Sequence, residues 1–118
     1  MIDDLYKRSK TLSKACIKMA LVLPIDKALA VAIRGHLIER ASELSIKCKG
    51  LMNSQGQELF LKKVSEALEA ADACNYWLEM IKDEGFFEAH IIDPIFSESQ
   101  DLSKLLSLAL KKVKPSGF

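Results

Sequence analysis

Apolar residues return along this chain in alternating steps of four and three. The clearest run is Phe60, Val64, Ala67, Ala71, Cys74, Leu78 and Ile81, the spacing that holds one stripe of an α-helix against a partner. Upstream, Ala30, Ile33, Leu37, Ala41, Leu44, Cys48 and Leu51 repeat it, preceded by Leu5, Leu12, Cys16, Met19 and Leu23. A looser fourth run follows in Ile95, Leu102, Leu105 or Leu106, Ala109 and Val113.

Helix breakers cut the chain between these runs. Pro24 ends a helix predicted from about Asp3 to Leu23, and the cluster Asn53-Ser54-Gln55-Gly56 ends a second from about Asp26 to Leu51. Ser54 and Gln57 have the spacing of a capping box, which would open a third helix over 57–84 that stops at Gly85. After a short irregular link, Asp93 as N-cap and Pro94 in the first turn would start a fourth helix running to about Val113, leaving Lys114 to Phe118 as a loose tail. Four amphipathic helices on short links bury their stripes most simply as an antiparallel, up-down-up-down four-helix bundle, an all-α fold.

Composition agrees with this reading. The 118 residues are 49% hydrophobic and 28% charged with only five Gly and three Pro, too few turn residues for a barrel or sandwich and too many apolar ones for disorder. One domain over residues 1–118 fits that length. The longest apolar run, Met19 to Leu23, is far below a membrane span, and the start Met1-Ile2-Asp3-Asp4 is acidic where a signal peptide would be basic. Three cysteines without a close pair match neither a disulfide framework nor a zinc ribbon, so a cytoplasmic location is expected.

Catalytic signatures do not emerge. All three cysteines sit on apolar stripes, where a thiol packs as a small hydrophobe. A carboxylate-bridged di-metal site in a bundle needs Glu-x-x-His pairs, but Ile33 and Phe87 occupy the positions three residues before His36 and His90. Bundle ribonucleases of the HEPN group resemble this chain in size and architecture, yet they place a histidine four to six residues after an arginine. Here Arg34 and His36 are two apart. Neither an enzyme nor a cofactor is expected.

Charge is more informative. Residues 1 to 56 hold ten Lys and Arg against five Asp and Glu, and residues 57 to 118 hold seven against eleven, so a net +1 conceals halves of +5 and −4. Lys7, Lys10, Lys14 and Lys18 fall within an arc of about 80° opposite the first apolar stripe. Such a row suits a phosphate backbone, with Arg34, Arg40 and Lys47 as further contacts; it also suits a solvated face or the acidic third helix of a neighbouring subunit. Some apolar positions exceed what one bundle needs: Val31 and Ile38, Leu61 and Leu68, Trp77 and Leu108 project to the flanks of the stripes and form a candidate interface between copies.

Several segments together resemble the four-helix-bundle proteins encoded by intervening sequences of bacterial 23S ribosomal RNA genes, relatives of the accessory protein of diversity-generating retroelements. Leu23-Pro24 is similar to the break after the family's first helix, and Ala30 to Leu37 with Arg34, then Arg40-Ala41, to its basic, alanine-rich second helix. Glu58-Leu59-Phe60-Leu61-Lys62-Lys63, Ala67 to Asp72 and Tyr76-Trp77-Leu78 resemble its third helix, and Glu98 with Asp101-Leu102 its last. The chain departs from the pattern in having Tyr6 but no early tryptophan, and Ser45-Ile46-Lys47-Cys48-Lys49-Gly50 where many members carry Ser-Ile-x-x-Asn. The resemblance implies a homopentameric ring and contact with nucleic acid, RNA included, or with a nucleic-acid enzyme; from the short apolar runs, no membrane partner is expected. The expectation is thus a non-enzymatic oligomeric bundle that contacts RNA or a ribonucleoprotein; a protein-binding adaptor that never touches nucleic acid is the alternative.

Overall fold

The computed structural model describes residues 2–113 of the chain, so the expected loose tail and the side chain of Val113 lie outside the described residues. Four helices account for nearly all of it: α1 (Ile2–Leu21), α2 (Ala28–Leu51), α3 (Gln57–Asp83) and α4 (Ala89–Val113). α1 packs on α2, α2 on α3, α3 on α4 and α4 back on α1, while the backbones of the diagonal pairs stay apart. The result is a rod of 50 × 24 × 22 Å. Its neighbours run antiparallel: on α2 and α3, His36 meets Trp77 while Lys47 meets Glu66, and on α3 and α4, Asn75 meets Ser99 while Lys82 meets Asp93.

The predicted stripes form the core. All seven stripe residues of α2 are buried, as are Leu5, Leu12, Cys16, Met19 and Leu23 of the first run and Val64 through Ile81 of the third. Phe60 is only half-buried, because it lies in the first turn of α3, where the bundle ends. Among the described residues Ser9, Ser13 and Ser99 are the buried polar ones. Ser9 Oγ donates to the Tyr6 carbonyl at 2.7 Å, and Ser99 Oγ donates to Asn75 Oδ1 at 2.5 Å while Asn75 Nδ2 donates to Ser103 Oγ at 2.8 Å.

The helix ends correct the sequence reading in two places. Ser54 does not cap α3: its Oγ faces back to the Gly50 carbonyl at 3.4 Å, and the N-cap is Gly56, whose φ of 86° is one that a side chain would strain. The other end of α3 is as expected. Gly85, at φ 67°, donates to the Lys82 carbonyl while Phe86 N donates to the Ile81 carbonyl, a Schellman stop.

α4 begins at Ala89, with Ile91 and Ile92 N–H donating to the Glu88 carbonyl, and Pro94 is inside the helix rather than at its start. The missing Pro94 N–H deprives only the His90 carbonyl, and His90 is exposed, so water can serve that carbonyl. In return the extra turn buries Ile92 to 1% exposure and sets Asp93 2.9 Å from Lys82 Nζ. The stripe of α4 is therefore Ile92, Ser99, Leu102, Leu106 and Ala109, with Ile95 and Leu105 half-buried beside it.

Leu78, fully buried in the middle of α3, measures the core. Leu78→Ala should lower unfolding free energy by about 2–5 kcal/mol in denaturant melts; a change under about 0.5 kcal/mol, typical of surface positions, would contradict this packing.

Candidate nucleic-acid interface

The apolar stripe of α1 turns Leu5, Leu12 and Cys16 inward, so helical geometry turns Lys7, Lys10, Lys14 and Lys18 outward. All four are exposed, and none joins the ion pairs found among the described residues. The row covers about 16 Å of helix axis, eleven steps of the helical rise. Asp3 and Asp4 lie in the first turn, where they complement the positive end of the helix dipole.

The remaining predicted cations divide into two groups. Arg40 is clasped on its own helix, with Nη2 2.5 Å from Glu39 Oε1 and Nη1 3.2 Å from Glu43 Oε2, and Lys47 reaches Glu66 across the α2–α3 groove at 3.4 Å. Both charges are locally offset and lie toward α3. Arg34 is half-buried with no ion pair, and the 100° step puts it on the opposite flank of α2, toward α1. Lys49 shares that flank, exposed and unpaired; sequence reasoning missed it, although its angle to the second stripe marks it. The structure thus brings Lys7, Lys10, Lys14 and Lys18 into one row, with Arg34 and Lys49 on the flank of α2 that turns toward α1, and leaves Arg40 and Lys47 outside. A shallow depression lined by Asp3, Tyr6, Lys7, Lys10 and Met52 lies at the row's N-terminal end.

Between α1 and α4 a different electrostatic feature appears. Arg8 grips Glu98 with both prongs, Nη2–Oε1 2.6 Å and Nε–Oε2 3.0 Å. The hydrogen bonds to Glu98 raise the guanidinium above its ordinary value. Arg8 therefore ties two helices together and takes no part in the row.

The six candidate interface residues are placed unevenly. Val31 and Leu108 are 49% and 51% exposed. Ile38, Leu68 and Trp77 pack against the core from half-buried positions, and Leu61 is half-buried as well. On α2, Ile46 is instead 68% exposed, and Ile25, Val22 and Leu21, at 78%, 69% and 52%, gather exposed apolar surface at the α1–α2 connection. A periodicity argument passes over them because they sit in or beside a turn.

Among the described residues no three His, Cys, Asp or Glu side chains converge as metal ligands, and no helix is long and apolar enough to cross a membrane. The thiols are core atoms. Burial pushes Cys16 up to about 12 and raises Cys48 and Cys74 as well.

No family model and no curated protein matches this chain. Among solved structures, the bundle is similar to that of a protein of unknown function from the S23 ribosomal protein family of Bacteroides thetaiotaomicron. The TM-score is 0.80 over 91% of this chain and 98% of that one, at 17% sequence identity. At that identity the likeness shows the fold alone.

The buried thiols have two measurable consequences. A thiol reagent at about pH 8 should leave all three cysteines of the native protein unmodified and react with all three in guanidinium. Because unfolded thiols ionise near 9.0 while the buried ones stay protonated, the unfolded state loses protons first, and stability should fall as pH rises past that value.

Proposed function

We propose that this protein is a small, non-catalytic bundle that associates with its own copies and engages RNA, free or within a ribonucleoprotein, through the outward face of α1. The observation that carries the reading is the row Lys7, Lys10, Lys14 and Lys18, exposed and without carboxylate partners. Surface lysines on ordinary helices are commonly interleaved with acids at i+3 or i+4; here the row is unbroken, with Arg34 and Lys49 on the flank of α2 that turns toward α1. A straight lysine row supplies point charges and no base-reading fork, so it suits the phosphate backbone of structured RNA rather than a base sequence. The ribosomal family of the Bacteroides protein and the resemblance to proteins of ribosomal RNA intervening sequences agree with RNA as the partner. A cytoplasmic location belongs to the same proposal.

Association between copies is supported by Leu21, Val22, Ile25, Leu29 and Val31, which gather exposed apolar surface at one end of the rod. A ring, pentameric by resemblance, would cover such surface. The same residues favour the second reading, a protein adaptor with no nucleic-acid role.

Mobility shifts with a structured RNA at rising salt separate the two. Tight binding with a steep salt dependence is expected, and Lys7→Gln, Lys10→Gln, Lys14→Gln and Lys18→Gln together should weaken it and flatten the log–log salt slope by about 3. Absence of binding by the parent chain would leave the adaptor reading; unchanged binding by the quadruple variant would move the contact elsewhere.

Light scattering checks association. The parent chain should exceed the monomer mass at micromolar concentration, and Val22→Asp with Ile25→Asp should return it to monomer with unchanged helical circular dichroism, since both side chains are exposed. A parent that is monomeric throughout would overturn this part of the proposal.

A further inference from the structure

On the far side of the molecule from the lysine row, the α2–α3 edge carries an aromatic shelf. The imidazole of His36 lies flat on the indole of Trp77, with ring centroids 4.3 Å apart and planes 2° from parallel. Tyr76 meets the same indole edge-on at 4.9 Å and 84°. Trp77 is half-buried, but His36 is exposed and Tyr76 is 56% exposed, so the shelf faces solvent. Three rings held together at a surface are already ordered and desolvate readily, two properties of interface anchors.

The charge around the shelf selects the occupant. Asp72 and Glu79 lie one turn to either side of Tyr76, and Glu69 and Asp83 lie two turns away on the same line of α3. All four are exposed and none is in an ion pair. Across the groove, Arg40 is already held between Glu39 and Glu43, which leaves that trio with an excess of one negative charge. Nucleic acid is repelled by such a surface, and a cation is attracted.

We infer that this shelf is a docking surface for an arginine-rich segment of a protein partner. A guanidinium can lie on the face of Tyr76 and still donate N–H groups in its own plane to a carboxylate one turn away, whereas an ammonium offers only a point charge. The chain's own basic helix is a poor occupant. Its row is lysine only, and α1 is diagonal to α3, so joining the α1 of one copy to the α3 of the next would propagate as an open filament rather than close. The inference is independent of RNA binding, because the two faces point in opposite directions.

Trp77 is the sole tryptophan of the chain, so its fluorescence reports on the shelf directly. Titration of the full chain with a short peptide of alternating Arg and Ser should change Trp77 emission saturably, with affinity that falls as salt rises and exceeds that of the Lys–Ser peptide by about fivefold. Tyr76→Leu, which keeps apolar bulk and removes the π face, should abolish the preference for arginine, and Asp72→Asn with Glu79→Gln should weaken binding by about tenfold. The quadruple lysine-to-glutamine variant of α1 should bind the peptide like the parent. Equal affinity for the two peptides, or a Tyr76→Leu variant that still prefers arginine, would overturn the inference by reducing it to nonspecific charge attraction. Displacement of the peptide by RNA, or filaments abolished by both Glu79→Gln and Lys14→Gln, would assign the shelf to a different occupant and overturn it as well.

Discussion

Close approach of α2 and α3 is the constraint on which the rest of the molecule depends. Both helices bury small side chains in the core, Ala30, Ala41 and Cys48 on α2 and Ala67, Ala70, Ala71 and Cys74 on α3. Small side chains let the axes come toward the short end of the ~8–10 Å range of packed helices. Groups on the rims of the two helices then meet: Lys47 reaches Glu66, Lys63 Nζ reaches the Gly50 carbonyl at 3.1 Å, and His36 stacks on Trp77. Larger residues in the seam would separate these pairs, so the aromatic shelf is a consequence of alanines that never touch it.

The other seams are held differently. α4 is set against α3 by the Asn75–Ser99–Ser103 chain of hydrogen bonds and by Lys82–Asp93. A slip of register would leave the buried Ser99 hydroxyl without a partner, a cost of about 1–3 kcal/mol, so this polar chain selects one alignment where apolar packing would accept several. α1 meets α4 over the sparsest seam, and there the bidentate Arg8–Glu98 pair ties the two helices together.

Bundle topology also sorts charge. Consecutive antiparallel helices put the first and third diagonally apart, so the lysine row of α1 and the acidic outer face of α3 become surfaces on opposite sides of a rod about two helices thick. Phosphate chemistry and cation chemistry can therefore act on one small molecule without competing for the same face.

Periodicity in the sequence was enough to determine the fold class, the number of helices, most core positions of the first three helices and the burial of the cysteines, because a 3.6-residue repeat states which side of a helix must leave water whatever it packs against. The outward lysine row followed from the same geometry. The start of α4 did not: Asp93-Pro94 has the local signature of a helix N-terminus, and only the burial of Ile92 and the pairing of Asp93 with Lys82 make an earlier start favourable. Nor was the glycine cap of α3 legible, since Ser54 and Gln57 match a capping box until the chain is seen to turn at Gly56. The local offset of Arg40 and Lys47, the exposure of Ile25 and the stacking of His36 on Trp77 were decided by tertiary structure alone. Each depends on which two helix rims come together, a matter of distance between residues remote in sequence that no local pattern encodes.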